Sequence, residues 1–552
     1  MKLLSPRLAF LILFPVMLAP IWAQDTDASA PAVDTAIGRV EAAPGEVPTS
    51  NDGLETLVTE APKAKNLDTK INDAMAPAVS RIFAVVFWKP FKVADKEVPF
   101  ILLWLISAGV FLTVYFKFIN FRSLGLAVRT IKGRYSKADD PGEITHFQAL
   151  SAALSGTVGL GNIAGVAIAI SVGGPGAAFW MIVMGLLGMT TKFAECTLGV
   201  RYREIDENGK VHGGPMKYLK KGLADRGLAK LGSALAVLFA ILCVGASLGG
   251  GNMFQINQAC SQFIEISGGS ESILAGYRWV FGAAVAVLVG FVIIGGITRI
   301  AHVTSRLVPF MCIIYILGAL AVLGVHLTDI PNAVGLIVSR AFSPDAYVGG
   351  LIGALLVGIQ RGTFSNEAGM GSAAIAHSAV KTSKPASEGI VALLEPFIDT
   401  VGVCSMTALV IVITGNYGSE FSSAGTGEGI AITSQAFGSV LSWFPFVLFV
   451  AVTLFAFSTL ISWSYYGQQA WASLFGISKA ADLSYKLIFC ACIVIGASMS
   501  LGSVIDFSDG MLLAMCFPNL IGVYFLLPII KEELLSFRKH VAEVDGTTPP
   551  EE

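Results

Sequence analysis

Charge is what this sequence has least of. Only 14% of its 552 residues are Asp, Glu, Lys or Arg, against 54% apolar ones, whereas soluble domains carry about 25% charged residues. So much apolar surface cannot be hidden in one water-soluble core. That excludes an ordinary soluble enzyme or binding module and leaves an all-α polytopic membrane protein set in a lipid bilayer. A basic excess is missing too: 37 Lys and Arg stand against 39 Asp and Glu, a net charge of −2, so nothing marks a nucleic-acid partner. Histidine numbers only six and no HExxH zinc motif occurs, so no metalloenzyme signature marks the chain. The cysteines, Cys196, Cys243, Cys260, Cys312, Cys404, Cys490, Cys492 and Cys516, all fall in or beside apolar segments. Cys490 and Cys492 are too close for a CxxC pair, and the set reads as small packing residues. The chain reads as a non-enzyme without a resident metal or cofactor.

What is present is organised along the chain in four parts. Residues 1–23 place Lys2 and Arg7 before an apolar stretch that ends at Ala23, the pattern of a signal peptide cut before Gln24, with an uncleaved anchor as the alternative. Residues 24–97 read as an extracytoplasmic tail. Its first part, 24–69, is rich in Ala, Pro, Asp, Glu and Thr and is expected to be disordered. From Lys70 to Phe91, Ile71, Met75, Val79, Ile82 and Val86 recur at helical spacing, either as an interfacial amphipathic helix or as a segment packed on the bundle. Residues 98–535 hold about 11 helices and 536–552 a cytoplasmic tail. A leading helix at 98–119 precedes ten spans near 148–171, 176–200, 233–265, 278–298, 304–326, 347–378, 386–414, 441–472, 485–502 and 509–530.

Loop charge supports that count. With the mature N-terminus outside, the inside loops are 120–147, with Arg122, Arg129, Lys132, Arg134 and Lys137, and 201–232, with eight Lys or Arg. The opposite loops 415–429 and 503–509 carry acids but no Lys or Arg, as the positive-inside rule requires. The C-terminus then lies in the cytoplasm.

Glycine is the other surplus, 59 of 552 or about 11% against a usual ≈ 7%. It concentrates where helices should least tolerate it. GTVGLGN at 156–162 and RGTFSNEAGMG at 361–371 interrupt the first and sixth of the ten spans, the spacing of two five-helix halves. Unwinding frees backbone carbonyls and amides, which are tolerable at membrane depth only when buried in protein or facing a cavity. Such carbonyls suit a hard cation and half-helix N-termini suit a carboxylate, so paired interruptions point to a secondary transporter's midplane site. The alternative is that small residues only let helices pack closely.

These same residues carry a resemblance. ALSGTVGLGNIAGVAIAISVGGPGAAFWMIVMGLLGMTTKFAECTLGVRYRE from Ala153, then GGPMKYL, then RGTFSNEAGMGSAAIAHS closely resemble the alanine or glycine:cation symporters, over roughly residues 98–535. The resemblance implies a bacterial inner-membrane importer of a small neutral amino acid with Na⁺ or H⁺. Its fold would be the five-plus-five inverted-repeat bundle of the bacterial leucine transporter, with one extra leading helix and broken first and sixth core helices. Carried over residue by residue, it implies a Na⁺ site of the Ser155, Val158 and Phe455 carbonyls and the Ser458 and Thr459 hydroxyls. Thr157, Asn162 and Thr363 match a second Na⁺ site. Backbone near Gly159, Leu160 and Gly161 would face the substrate carboxylate, and Gln255, Phe364, Ser365 and Trp463, with Thr157, Thr363 and Thr459, would line the amino-acid pocket.

The intramembrane charges read as structural. Lys192 and Glu195 are expected to pair along one helix, Arg361 and Glu367 to form a gate or structural pair across the second interruption, and His377 to be structural. Glu395 and Asp399, one turn apart around Pro396, are expected to face a polar seam and pair with Arg361 or a Ser/Thr, a proton or cation relay being the alternative. The alternative function is an H⁺-coupled transporter of another small polar solute, with an ion channel behind it, since broken helices also build selectivity filters.

Overall fold

The computed structural model describes residues 67–547 apart from 94–95, 138, 295, 344–349 and 418–428. The signal segment, the tail to residue 66 and most of the 415–429 loop lie outside the described residues. Helix α1, Leu67–Val86, buries Val79 and lies on the bundle, with Asn72 accepting from the Ser500 hydroxyl at 2.8 Å. Of the two readings of this segment, packing on the bundle is the one the structure adopts. The leading helix α2, Phe100–Tyr115, is apolar throughout and starts directly after Pro99, where a missing N–H matters little. A short amphipathic helix α3, Leu124–Ile131, turns Ala127 and Thr130 inward and Arg129 outward.

The first half follows. A capping box between Thr145 and Gln148 starts α4, His146–Thr157, which is separated by 158–163 from α5, Ala164–Gly173. Then come α6, Gly176–Arg201; α7, Ala229–Leu248, continued through a π-helical turn at Gly249–Met253 into α8, Phe254–Ile266; α9, Arg278–Ile293; and α10, Gly296–Val325. After the surface helix α11, Ile330–Ala341, the second half repeats the order. Helix α12, Gly350–Asn366, is separated by 367–372 from α13, Ala373–His377. Helix α14, Pro385–Ala392, leads through Leu394–Pro396 and a π-helix at Phe397–Cys404 into α15, Ser405–Ile413. Last are a short helix α16, Gly429–Gly438; α17, Phe444–Phe475; α18, Lys479–Ser498; α19, Leu501–Ala514; and α20, Cys516–Asp545.

Among the described residues seven helices are long and apolar enough to cross a membrane. The protein is an integral membrane protein, an inverted-repeat bundle with broken first and sixth core helices. Three local expectations change. Residues 503–509 are helical, inside α19, so the turn there shrinks to Met499 and Ser500. Helices α11 and α16 form in segments expected to be loops. The 201–232 loop holds a hairpin, Glu204–Ile205 against Val211–His212, and a helix, Pro215–Asp225. Lys217 and Lys221 clamp Glu204 there and hold its carboxyl down at about 2.

Candidate functional site

At the first interruption Val158 leaves the helix with φ −73° and ψ 89°, and every residue from Val158 to Ile163 is buried. Buried backbone groups need partners, and they find them locally and across the bundle. Gly159 N donates to Asn162 Oδ1 at 2.9 Å, and Leu160 N donates to Gln255 Oε1 at 3.2 Å. The Gln255 amide is itself fixed, because its Nε2 donates to Gly250 O in the π-helical turn at 2.8 Å. At the second interruption Glu367, Gly369 and Gly371 take φ of 55°, 92° and 77°.

Close approach explains Gly159 of the first interruption, and it sets Gly161 in van der Waals contact with the second. A Cβ on Gly159 would lie 2.6 Å from Thr459 Oγ1 and 3.1 Å from Gln255 Oε1; one on Gly161 would lie 3.4 Å from Ser365 Cα and 3.6 Å from the Phe364 ring. A Cβ on Gly251 would overlap the Trp463 ring. Gly159, Leu160, Gly161, Gln255, Phe364, Ser365, Thr459 and Trp463, dispersed over three hundred positions of sequence, therefore meet around one point. All are buried, with Phe364 at 6% the most exposed of the side chains.

Three residues expected to hold a cation, Ser155, Phe455 and Ser458, are linked by hydrogen bonds. Ser155 Oγ donates to Ser458 O at 2.7 Å, joining α4 to α17, and Ser458 Oγ donates to Phe455 O at 2.9 Å. Val158 caps the same turn of α4. Among the described residues the buried Thr459 and Thr363 hydroxyls find no hydrogen-bond partner. A buried donor or acceptor left unmade costs about 1–3 kcal/mol, and a hard cation or a polar ligand would complete either one. Thr157 instead turns its hydroxyl back to Ala153 O at 3.3 Å.

Asn162 is committed elsewhere. Its Nδ2 donates to Asp399 Oδ1 at 2.6 Å and to Ser365 Oγ at 3.0 Å; Ser365 Oγ and Thr400 Oγ1 donate to Asp399 Oδ2 at 2.8 and 2.7 Å. Asp399 meets the expectation of a Ser/Thr partner, and it reaches the first interruption itself, which its place one turn past Glu395 did not reveal. Trp463 Nε1 donates to Gly156 O at 3.3 Å and Glu367 Oε1 at 3.0 Å, so one indole N–H touches both interrupted helices.

Several expected charge pairs are replaced. Lys192 does not pair with Glu195 along α6: its Nζ meets Glu395 Oε1 at 2.9 Å, while Glu195 Oε1 accepts from Asn519 Nδ2 at 2.6 Å and Gly371 N at 3.1 Å. Arg361 pairs with Asp509, not Glu367, and Glu367 takes the Ser372 hydroxyl at 2.5 Å. Glu395 binds Lys192 and lies 3.5 Å from His377 Nε2, whose Nδ1 sits 2.5 Å from Glu388; Glu388 also bonds His146 at the start of α4. Spacing along one helix favours the local partner, but a bundle supplies partners across helices, where a carboxylate and an ammonium are both desolvated and need each other most.

Comparison with known proteins gives consistent matches. The model of the sodium:alanine symporter family matches residues 89–549. The chain is 38% identical over 442 residues to "Sodium/alanine symporter AgcS" of Methanococcus maripaludis, covering 80% of this chain and 94% of that one. It is 34% identical to the "Putative sodium/proton-dependent alanine carrier protein YrbD" of Bacillus subtilis (76% and 86% covered) and 34% identical to the "Probable sodium/glutamine symporter GlnT" of the same organism (80% and 88%). Among solved structures, MhsT in complex with L-phenylalanine superposes with a TM-score of 0.52 at 14% identity, covering 74% of this chain and 94% of that one, a likeness of fold.

Proposed function

The chain belongs to the sodium:alanine symporter family, and we propose that it imports a small neutral amino acid, alanine or glycine, together with Na⁺ by alternating access. The observation that carries this reading is the Thr459 hydroxyl, buried and unpartnered beside the unwound backbone of Gly159. In this reading Thr459, with Ser458 and the Ser155, Val158 and Phe455 carbonyls, holds the driving Na⁺, a set of oxygens suited to a hard cation. The substrate carboxylate is received by the N–H groups of Leu160 and Gly161, displacing Gln255 Oε1 from Leu160. Phe364 and Trp463 bound the side-chain pocket and favour a methyl group or a hydrogen. In this reading the mature N-terminus faces outward and the C-terminal end of α20 the cytoplasm, an orientation that the loop charges support.

A second reading concerns the coupling ion. Asp399 is a buried carboxylate with three side-chain donors, placed against Asn162 of the first interruption. That placement suits a proton carrier, or a second cation site with Thr363, better than an inert structural acid. One experiment tests both readings. Uptake of labelled amino acids into liposomes containing the purified protein is measured under Na⁺, K⁺ or pH gradients. Alanine or glycine uptake driven by Na⁺ is the expected result. Uptake driven by a pH gradient alone favours the second reading, and amino-acid-independent current would replace both with a channel.

A further inference from the structure

At the face carrying the Lys- and Arg-rich loops, a cavity of about 580 Å³ opens between α3 and the end of α20, lined by Arg122, Ser123, Leu126, Arg129 and Arg538. Its charge is not balanced. Among the described residues Arg122 and Arg538 have no carboxylate partner, and the two lie close enough to repel. Asp545 is shared between Arg129 at 3.0 Å and Arg134 at 2.9 Å. One carboxylate therefore answers four guanidinium groups. Like charges are not gathered around a cavity without a counter-charge unless solvent or a ligand supplies one.

The surroundings say which ligand. The chain leaves α2 through Lys117 and Phe118, both with positive φ, and this turn leaves Phe118 51% and Phe121 56% exposed beside the arginines. A bulky residue in left-handed backbone is uncommon and needs a reason. Exposed aromatics at the end of a span belong at headgroup depth, where an apolar ring meets acyl chain and water. Arginine forks match phosphate oxygens. We propose that this cavity binds the phosphate of an anionic phospholipid in the facing leaflet, with Arg122 and Arg538 on the phosphate and Phe118 and Phe121 against the glycerol and upper acyl chains. Free phosphate lacks the apolar part and would miss half of these contacts. The site is remote from the interrupted helices and goes beyond the transport reading.

Native mass spectrometry of the full chain in neutral detergent, titrated separately with phosphatidylglycerol, phosphatidylcholine and inorganic phosphate, tests this. One retained phosphatidylglycerol adduct is expected, with much weaker phosphatidylcholine binding and no competition from phosphate at the same concentration. At about tenfold per 1.4 kcal/mol, and with the usual contribution of a basic residue at an anionic surface, Arg122→Gln with Arg538→Gln should weaken that adduct roughly 30-fold. Arg122→Gln alone, at an exposed position whose guanidinium makes a long 3.4 Å bond to Lys117 O, should weaken it about fivefold on the same scale. Lys220→Gln with Arg226→Gln, elsewhere on the same face, should leave it unchanged. Equal binding of the two lipids, or equal loss in the two double variants, would reduce the effect to general surface charge and overturn the proposal. Full competition by phosphate would overturn the lipid as the ligand.

Discussion

Replacing Thr459 by Val removes one hydroxyl and almost no volume. The effects on stability and on transport should then have opposite signs. Without a ligand the hydroxyl is buried and unpartnered, so its removal relieves a penalty of about 1–3 kcal/mol instead of adding one. The variant should melt at the same or a higher temperature in Na⁺-free buffer. With Na⁺ the hydroxyl becomes a ligand, and losing a contact to a charged group costs about 1.5–3 kcal/mol. That is a rise of roughly 10- to 150-fold in the Na⁺ concentration for half-maximal uptake. The assay is alanine uptake into liposomes at stepped Na⁺ with a fixed membrane potential, beside thermal melts with and without Na⁺. A Thr459→Val protein with wild-type Na⁺ dependence would refute the cation site as assigned, and a variant that is less stable without Na⁺ would refute the hydroxyl's lack of a partner.

Other perturbations follow the same geometry. Trp463→Ala should weaken alanine uptake while raising the uptake ratio of valine or methionine over alanine, since each buried methylene contributes about 0.8 kcal/mol; a uniform loss for all substrates, measured as uptake efficiency ratios, marks Trp463 as packing only. Gly251→Ala should abolish folded protein because its Cβ would overlap Trp463 Cβ and Cγ, and Trp463→Gly in the same chain, which removes both atoms, should restore a monodisperse chromatographic peak. Lys192→Met leaves Glu395 buried without its ammonium and should cost about 3–5 kcal/mol, recovered in large part by adding Glu395→Gln, as read from denaturation midpoints.

Much of the fold was legible because its signals are local. Apolar runs place most of the spans to within a few residues, although the expected span 304–326 begins at Gly296 and the expected span 509–530 is divided between α19 and α20; paired glycine clusters mark both interruptions. The candidate site was legible only through residues that lie in the interruptions or in a resembling motif. Asp399 was visible as an intramembrane acid, but its contact with Asn162 depends on the π-helix at Phe397–Cys404, and a π-helix widens the turn and redirects side chains without any mark that helical spacing can show. The Lys192–Glu395 and Arg361–Asp509 pairs were missed for a related reason. Spacing along one helix ranks partners by sequence distance, whereas desolvation in the bundle ranks them by where the next carboxylate happens to project.

The two interruptions differ in their mechanics. Between Val158 and Ile163 no residue has positive φ, whereas the second interruption sets Glu367, Gly369 and Gly371 in left-handed backbone. The first can therefore be wound or unwound by moderate torsional changes within the right-handed side of φ, which any L-residue makes readily. The second cannot join α12 to α13 as one helix unless three residues cross to the other side of φ, and Glu367 would lose its Trp463 bond in doing so. One joint is a pliable strap and the other a bracket. In a bundle built of two like halves, bending strain would collect at the pliable joint between α4 and α5, while the start of α4 stays tied to α14 through His146 and Glu388.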